Sequence, residues 1–521
     1  MSHDLLYIKL WDKIFLTSFI CVQTNKDNDI MFVNREYQLT KLKELFNLDK
    51  ASIAVCWGRR RIGKSALVEA FGKTVASFIN IQGLSPESYR IQGTKLPASN
   101  ILLKDQLENF DIQLSLHTGL PQMKPTSWLQ AFTFLNSAIK NEPTIVLLDE
   151  ISWMALGDKN FPGVLKIAWD TQLSHHSKLI IVLCGSVSSW IIRNIIKGTG
   201  FRGRISLSFN LEQLSMYHSN MFWDNAPGQI SAFEKFKILS VTGGVPKYLE
   251  EIDVTKSAES NILRLCYQKE GYLFQEYTAV FYDTFGKRSK TYEKIIEILA
   301  KGHQSSETIA THLGWSKGGT VNKYLADLVE SGFVDKYYFK HPGKNVSNRK
   351  IRYRLIDNYL RFYIKYIKPK MLDIENKKFE HIHLDVLPGW DTLMGIQFEN
   401  LVLNNWKSVC TLLGLTIPSI IWAGPYYRKK TKNISGCQID LMIETKYSLY
   451  VCEVKFRKKI KTSIIVEMQE KIKRLGKVNN LSIKPVLIYV GTIDNAIISS
   501  KYFSEIINFE QLLTNGQIYQ A

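Results

Sequence analysis

The sequence predicts an α/β fold in which a parallel sheet covered by helices is followed by a winged helix-turn-helix and a second α/β domain. Apolar runs alternate with helical patterns between residues 51 and 215, as in a parallel sheet with helices on both faces. Short helices, a glycine-containing turn, a longer helix and alternating strand residues follow residue 291, and the last section returns to apolar strands. At 521 residues the chain is also too long for a single core.

The domain boundaries are placed by changes of pattern along the chain. Residues 1–30 join no periodic pattern, whereas helical apolar spacing begins after Met31. A helical region surrounds the stretch TGGVPKYLEE. We therefore expect an N-terminal extension (1–30), a first α/β domain (31–215), a helical subdomain (216–285), the winged helix-turn-helix (286–370) and the C-terminal α/β domain (371–521).

The chain is strongly basic. It has 67 Lys and Arg against 48 Asp and Glu, a formal net charge of +19, which favours a polyanionic partner such as DNA or an anionic membrane surface. No run of about 18 uncharged apolar residues occurs, so no membrane span is expected and the membrane is the weaker alternative. The seven cysteines lack the spacing of a zinc site or a disulfide framework, which fits a reducing cytoplasm.

A glycine-containing stretch, GRRRIGKS at residues 58–65, follows the apolar strand ASIAVCW and opens the helix SALVEAFG. It matches G-x-x-x-x-G-K-[ST], in which backbone N–H groups and the positive end of the helix surround phosphate oxygens. Lys64 is expected to reach the β- and γ-phosphates of ATP, and the Ser65 hydroxyl to bind Mg²⁺. The loop arginines either steer nucleotide or are solvated. The predicted nucleotide-binding residues are Gly58, Arg59, Arg60, Arg61, Ile62, Gly63, Lys64, Ser65 and, from a later strand, Ser186.

Two acidic residues end the apolar strand PTIVLLDE. Asp149 is expected to hold Mg²⁺, and Glu150 to orient the water that attacks the γ-phosphate. A helix N-cap with a neighbouring charge is the alternative. A third strand, KLIIVLCG, leads to Ser186, which is either a sensor of the γ-phosphate or a small residue in a tight turn.

Two arginines, Arg202 and Arg204, lie in the loop GTGFRGRISLSF. An arginine at this place can neutralise charge that develops on the γ-phosphate, in its own chain or in a neighbouring copy. A homo-oligomer is therefore compatible with the sequence. Loop arginines that are simply solvated are the alternative.

Basic residues are concentrated in the expected winged helix-turn-helix. Residues 281–370 contain 18 Lys and Arg and 8 Asp and Glu. A recognition helix would present Lys317, Asn322 and Lys323 to a DNA groove, and the wing would present basic side chains to phosphates. A winged helix that binds protein or acts as a spacer is the alternative. The predicted wing residues are Arg349, Lys350, Arg352 and Arg354.

The stretch QIDLMIETKYSLYVCEVKF places charges in an otherwise apolar β-hairpin. Strand alternation puts Glu453 and Lys455 on one face, near Asp440 on the other strand. Two carboxylates beside a lysine can bind Mg²⁺ and activate water for phosphodiester attack, with Glu399 from a preceding helix completing the acidic set. The alternative is an edge-strand ion pair with Asp440 in a hydrogen-bonded turn.

Several motifs together resemble one family. The order helix glutamate, Asp strand, Glu-x-Lys strand and closing helix is similar to the PD-(D/E)xK nuclease superfamily, although no proline precedes Asp440 and Gln469 matches the helical glutamine only loosely. With MFVNRE, GRRRIGKS, LLDE, TGGVPKYL and RYRLIDNYLRFY, residues 31–521 resemble archaeal and bacterial AAA-like ATPases, related to the STAND NTPases, that end in a nuclease-like domain. The resemblance implies a P-loop NTPase fold, ATP binding and a restriction-endonuclease-like C-terminal domain.

Two functions are compatible with these features. The first is a Mg²⁺-dependent ATPase whose nucleotide state controls DNA binding and DNA cleavage by the C-terminal domain. The second is a nucleotide-switched regulatory protein with a catalytically silent C-terminal domain. The predicted catalytic residues are Glu150, Arg202 and Arg204 for ATP, and Asp440, Glu453 and Lys455 for DNA, with Ser65, Asp149, Asp440 and Glu453 as metal ligands.

Overall fold

The computed structural model describes most of the chain from residue 33 onward. The predictions for residues 1–30, Lys317, Arg349 and Lys350 lie outside the described residues. The described ranges are 33–75, 77–85, 98–140, 142–315, 319–338, 340–343, 351–379, 382–430, 435–476, 478 and 480–515.

The first domain is built on a five-stranded parallel sheet with the strand order β2-β3-β4-β1-β5. The apolar runs of the sequence form its strands, and β3 and β4 are buried along their whole length. This confirms the predicted α/β fold with a parallel sheet. The strands are β1 (Ser52–Gly58), β2 (Ser77–Gln82), β3 (Thr144–Asp149), β4 (Leu179–Gly185) and β5 (Ile205–Leu211).

Helices pack on both faces of this sheet, because alternate strand residues enter two separate cores. One core contains Leu42 of α1 and Leu67 of α2, and the other contains Phe110 of α3 and Phe132 of α4. The helices are α1 (Glu36–Phe46), α2 (Lys64–Gly72), α3 (Ser99–Thr118), α4 (Trp128–Ala138), α5 (Ile151–Met154), α6 (Phe161–Thr171) and α7 (Ser188–Ile191).

The middle of the chain is helical and ends in a β-hairpin. Five α-helices lie between residues 216 and 285, and three more among the described residues lead to the antiparallel pair β6 (Val334–Tyr338) and β7 (Ile351–Leu355). An isolated bridge between Gln304 and Tyr353 joins this hairpin to the start of α14. The helices are α8 (Met216–Asn220), α9 (Ala232–Thr242), α10 (Pro246–Glu250), α11 (Ala258–Cys266), α12 (Tyr272–Phe285), α13 (Ser289–Ala300), α14 (Ser306–Leu313) and α15 (Gly319–Glu330).

The last section contains a second five-stranded sheet, ordered β12-β11-β10-β9-β8. β9 runs antiparallel to both of its neighbours, whereas β10, β11 and β12 are parallel. Its strands are β8 (Trp422–Arg428), β9 (Cys437–Glu444), β10 (Ser448–Ile460), β11 (Ser482–Ile493) and β12 (Glu505–Asn508). The helices are α16 (Asn358–Phe362), α17 (Met371–Glu375), α18 (Trp390–Asn404), α19 (Trp406–Leu412), α20 (Ser463–Leu475), α21 (Asn495–Ser499) and α22 (Phe509–Thr514).

One continuous apolar core joins the helical middle of the chain to this second sheet. At its centre Phe236 of α9 packs against Phe398, Phe456 and Phe509, with ring centroids 5.1 to 5.6 Å away. Elements after residue 214 are therefore packed together rather than separated by linkers. Among the described residues no helix is long and apolar enough to cross a bilayer.

Candidate nucleotide-binding site

The loop between β1 and α2 lies at the carboxyl edge of the parallel sheet, where such sheets bind ligands. Gly58 has a φ of 147° and Gly63, the N-cap of α2, a φ of 87°. A Cβ atom on Gly58 would lie 2.4 Å from the carbonyl oxygen of Leu211, so a larger residue does not fit there. The backbone can therefore turn in front of the N-terminus of α2, which favours anion binding.

Lys64 and Ser65 open α2, and contacts of their side chains fix both. Lys64 is buried, and its Nζ donates to the carbonyl oxygens of Gly58 at 3.2 Å and Arg59 at 3.1 Å. The Ser65 hydroxyl donates to Oδ2 of Asp149 at 2.6 Å. An ammonium enclosed by the loop suits phosphate oxygens, and a hydroxyl beside a carboxylate is an oxygen donor set that suits Mg²⁺.

Glu150 follows β3 and is held against the end of β4. It is buried, and its Oε2 accepts hydrogen bonds from Ser186 N at 2.9 Å and Ser186 Oγ at 2.8 Å. Burial raises the pKa of the Glu150 carboxyl above its usual value, in spite of the opposing positive charge of Lys64. The structure thus brings Lys64, Ser65, Asp149, Glu150 and Ser186 to one edge of the sheet.

The sequence of this region matches a known family. Residues 32–252 match the family described as an ATPase domain predominantly from Archaea. The segment is an ATPase domain of this family. The uncharacterized protein MJECL04 of Methanocaldococcus jannaschii is 25% identical over 374 residues, which are 71% of this chain and 76% of that protein. The uncharacterized ATP-binding protein MJ0423 of the same organism is 43% identical over 42 residues, 8% of this chain and 71% of that protein.

Two solved structures are similar at lower identity. The Walker-type ATPase PABY2304 of Pyrococcus abyssi is 18% identical, with a TM-score of 0.45 over 64% of this chain and 96% of that chain. The ORC2 protein of Aeropyrum pernix is 14% identical, with a TM-score of 0.38 over 66% of this chain and 97% of that chain. The match of residues 32–252 to the ATPase family confirms the predicted P-loop ATPase and its use of ATP.

The three arginines of the loop between β1 and α2, residues 58–65, hereafter the ATPase loop, differ in their surroundings. The guanidinium of Arg59 is buried in an ion pair with Asp357, so the expectation that it steers nucleotide or is solvated is wrong. Arg61 is partly buried and pairs with Glu276 at 3.2 Å. Arg60 is partly buried and also has contacts. The backbone of these three residues is part of the ATPase loop, so their N–H groups remain candidates for phosphate binding.

Ile62 and Arg35 are buried beneath the loop and support it. The Ile62 side chain is buried in the core beneath the loop, so its backbone is the part that can meet a nucleotide. The buried guanidinium of Arg35 donates to the carbonyl oxygens of Ile62 at 3.2 Å and Glu212 at 2.8 Å. Arg35 thereby ties the segment before α1 to the loop and to the end of β5.

The two arginines predicted as finger residues lie in the turn that precedes β5. The Arg204 guanidinium makes two hydrogen bonds to the Asp170 carboxylate, at 2.6 and 2.9 Å. Arg202 is exposed in the preceding turn. Arg204 is therefore directed at Asp170 and Arg202 at solvent, and the finger assignment stays a prediction.

The charges of the C-terminal hairpin form a buried cluster with a helix residue. Lys455 Nζ lies 2.6 Å from Glu453 Oε1, and Lys471 of α20 pairs with the other oxygen of Glu453. Asp440 is buried, and its Oδ2 accepts a hydrogen bond from Val454 N at 2.9 Å. Burial and the charge of Asp440 raise the pKa of Glu399 to about 8.

This arrangement neutralises Glu453 with two ammonium groups. Among the described residues no group of three or more His, Cys, Asp and Glu side chains is arranged to hold a metal ion. In this conformation both oxygens of Glu453 face lysine ammonium groups, and Oδ2 of Asp440 accepts a backbone hydrogen bond. The metal assignment to Asp440 and Glu453 stays a prediction.

The basic residues near the β6–β7 hairpin do not all face outward. Asn322 and Lys323 are exposed near the start of α15. Arg352 donates to the carbonyl oxygen of His303 at 3.0 Å. The prediction that Arg354 faces phosphates is wrong, because its guanidinium is buried and donates to Asp335, Asn400 and Asn404 at 2.8 to 3.1 Å.

Four residues that shape these sites were missed from the sequence: Asp357, Glu276, Tyr248 and Lys471. Asp357 and Tyr248 belong to RYRLIDNYLRFY and TGGVPKYL, stretches that carry the family resemblance but whose chemistry the sequence did not explain. The structure gives that chemistry, because both stretches reach the ATPase loop. Glu276 and Lys471 carry no local signal in the sequence.

Proposed function

We propose that the chain is a Mg²⁺-dependent ATPase that couples its nucleotide state to DNA binding by the part after the ATPase domain. The observation that carries the ATPase half is the grouping of Lys64, Ser65, Asp149, Glu150 and Ser186 at the edge of the parallel sheet. Ser65 and Asp149 would hold Mg²⁺, which supplies charge neutralisation for the phosphates when bound.

The side chains themselves divide the work of hydrolysis. Lys64 binds phosphate oxygens from within the loop, and Glu150 accepts a hydrogen bond from the attacking water and orients it. A raised pKa suits Glu150 to this role, since a carboxylate with a higher pKa accepts a proton more readily. Ser186 donates to Glu150 in this structure, and its hydroxyl can instead donate to a γ-phosphate oxygen.

Coupling to the winged-helix part is supported by a contact made by the segment that follows β4 and Ser186. Beyond Ser186 the chain forms α7 and a π-helical segment, Ile192–Ile196, whose Arg193 pairs with the buried Asp327 of α15. The hydroxyl of Tyr292 also donates to Asp327. A change at Ser186 is thus connected to the helix proposed to contact DNA.

DNA binding is supported by the helix order, the local positive charge and the exposed start of α15. The test is fluorescence anisotropy of a labelled duplex with the full chain at several KCl concentrations, with and without ATP. The double variant Asn322→Ala/Lys323→Ala should weaken binding and flatten the salt slope by about one unit. The exposed Lys301→Ala is the matched control and should keep the slope. No salt-dependent binding by the wild type, or equal slopes for both variants, would reject this function.

DNA cleavage is a second candidate, favoured by the cluster that contains Glu399, Asp440, Glu453 and Lys455. The paired state of Glu453 instead supports a silent domain, so cleavage requires that the lysines release it. Nicking of supercoiled plasmid with Mg²⁺ or Mn²⁺ separates the two. Cleavage by the wild type that Asp440→Ala abolishes supports the nuclease, and equal nicking by the two proteins rejects it.

A further inference from the structure

Arg59, the first residue after Gly58 in the ATPase loop, points into the rest of the chain. Its side chain is 2% exposed and forms an ion pair with the Asp357 carboxylate, whose side chain is 1% exposed. It also donates to the Tyr248 hydroxyl at 3.1 Å, and its guanidinium lies 5.2 Å from the ring centroid of Phe333. The positive charge of Arg59 is therefore enclosed mostly by residues that lie beyond the ATPase domain.

Asp357 is itself held rigidly. It is the N-cap of α16, where its Oδ1 accepts a hydrogen bond from Leu360 N at 3.0 Å. The next residue, Asn358, forms hydrogen bonds with Gln397 and Asn400 of α18 within the buried core. One carboxylate thus caps a helix and holds the loop arginine, and a packed polar network fixes its position.

Arg61, three residues before Lys64, makes a second connection between the same loop and the rest of the chain. Arg61 has a left-handed backbone, φ 69°, which non-glycine residues adopt at a cost. Its guanidinium makes hydrogen bonds of 3.2 and 3.3 Å to Glu276, which also accepts a hydrogen bond from Tyr248. The carbonyl oxygen of Arg61 accepts a hydrogen bond from Lys247 N at 3.4 Å.

We propose that Asp357 and Glu276 are positioning residues for ATP binding, acting through Arg59 and Arg61. They hold the ATPase loop in the shape in which Lys64 faces the nucleotide. Removing one partner of a buried ion pair leaves the other charge uncompensated, so the loop must move to hydrate it. The ATP site is therefore complete only when the part of the chain that carries α12 and α16 is docked.

The test is a double-mutant cycle on the full chain, with ATP affinity measured by calorimetry at a temperature where circular dichroism shows folded protein. Asp357→Asn should raise the Kd for ATP about tenfold, a typical effect for directly coupled residues. The double variant Arg59→Gln/Asp357→Asn should bind no worse than Asp357→Asn, because it leaves no unpaired charge. Asp385→Asn, which changes an exposed carboxylate beyond the ATPase domain, should keep the wild-type Kd.

A folded Asp357→Asn protein with the wild-type Kd would overturn the proposal, as would strictly additive effects of Arg59→Gln and Asp357→Asn. If Asp357→Asn does not fold, Glu276→Gln decides, since the Arg61 pair is more exposed. A several-fold increase in its Kd supports the proposal and an unchanged Kd overturns it. The proposal rests on ATP binding at this loop, and a wild type without Lys64-dependent ATP binding would reject that assignment instead.

Discussion

Replacing Glu150 with glutamine should separate ATP binding from ATP hydrolysis. The substitution keeps the shape of the side chain and an oxygen that can accept both hydrogen bonds from Ser186. It leaves Lys64, Ser65 and Asp149 unchanged, so nucleotide affinity should stay near that of the wild type. It removes the carboxylate that we propose orients the attacking water, and such a group typically contributes about 10²- to 10⁴-fold to the rate.

Stability should change little in this variant. Glu150 is buried, and burial raises its pKa because the ionised form is poorly solvated there. A neutral amide avoids that penalty, while the nearby Lys64 loses a favourable negative charge. The two effects oppose each other, so we expect a change in unfolding free energy within about 1 kcal/mol.

The assay is steady-state phosphate release at saturating ATP and Mg²⁺, with the ATP Kd measured in parallel. Glu108→Gln, at an exposed position of α3, is the control for removal of a negative charge. We expect turnover at least a hundredfold slower for Glu150→Gln and unchanged for Glu108→Gln. Equal turnover of Glu150→Gln and the wild type would refute the role given to Glu150.

Two further predictions concern stability. Burial and the charge of Arg35 lower the pKa of His218 to about 4 from the ordinary 6.5, so the folded state takes up its proton later than the unfolded chain. Stability should therefore be full above pH 6.5 and decline as the pH falls toward 4, by about 2 kcal/mol at pH 5. Urea unfolding across this range should show a flatter dependence for His218→Gln, and no flattening for the exposed His117→Gln. A Cβ atom at Gly244 would lie 2.0 Å from the Leu214 carbonyl oxygen, so Gly244→Ala should cost about 1–3 kcal/mol in the same assay, whereas Gly228→Ala, with open space, should cost far less. Similar losses in these two alanine variants would contradict the close approach.

The parts of the ATP site that can be predicted from the sequence are those that lie in short motifs directly after apolar strands. The loop of residues 58–65 and the acidic pair Asp149–Glu150 each follow an apolar strand, and parallel strands end at a common edge, so their meeting follows from topology. Ser186 follows the strand between them in the sheet.

Contacts between distant segments could not be predicted in this way. Arg59 lies within a phosphate-loop motif that the sequence shows. Its partner Asp357 is known only from the way the segment after β7 packs on that loop. Arg354 alternates with apolar residues as an outward strand position does, yet α18 covers that face and supplies amide partners. Periodicity gives the side of a strand, and only packing decides what lies over it.

ATP hydrolysis by the full chain with Mg²⁺, compared between the wild type and Lys64→Ala, tests the central assignment most directly. Lys64 is buried in the loop, while Lys73 at the C-terminal end of the same helix is exposed and serves as the matched control. We expect Mg²⁺-dependent turnover for the wild type and Lys73→Ala, and loss of both ATP affinity and turnover for Lys64→Ala. Tight ATP binding and wild-type turnover in Lys64→Ala would contradict the assignment of Lys64.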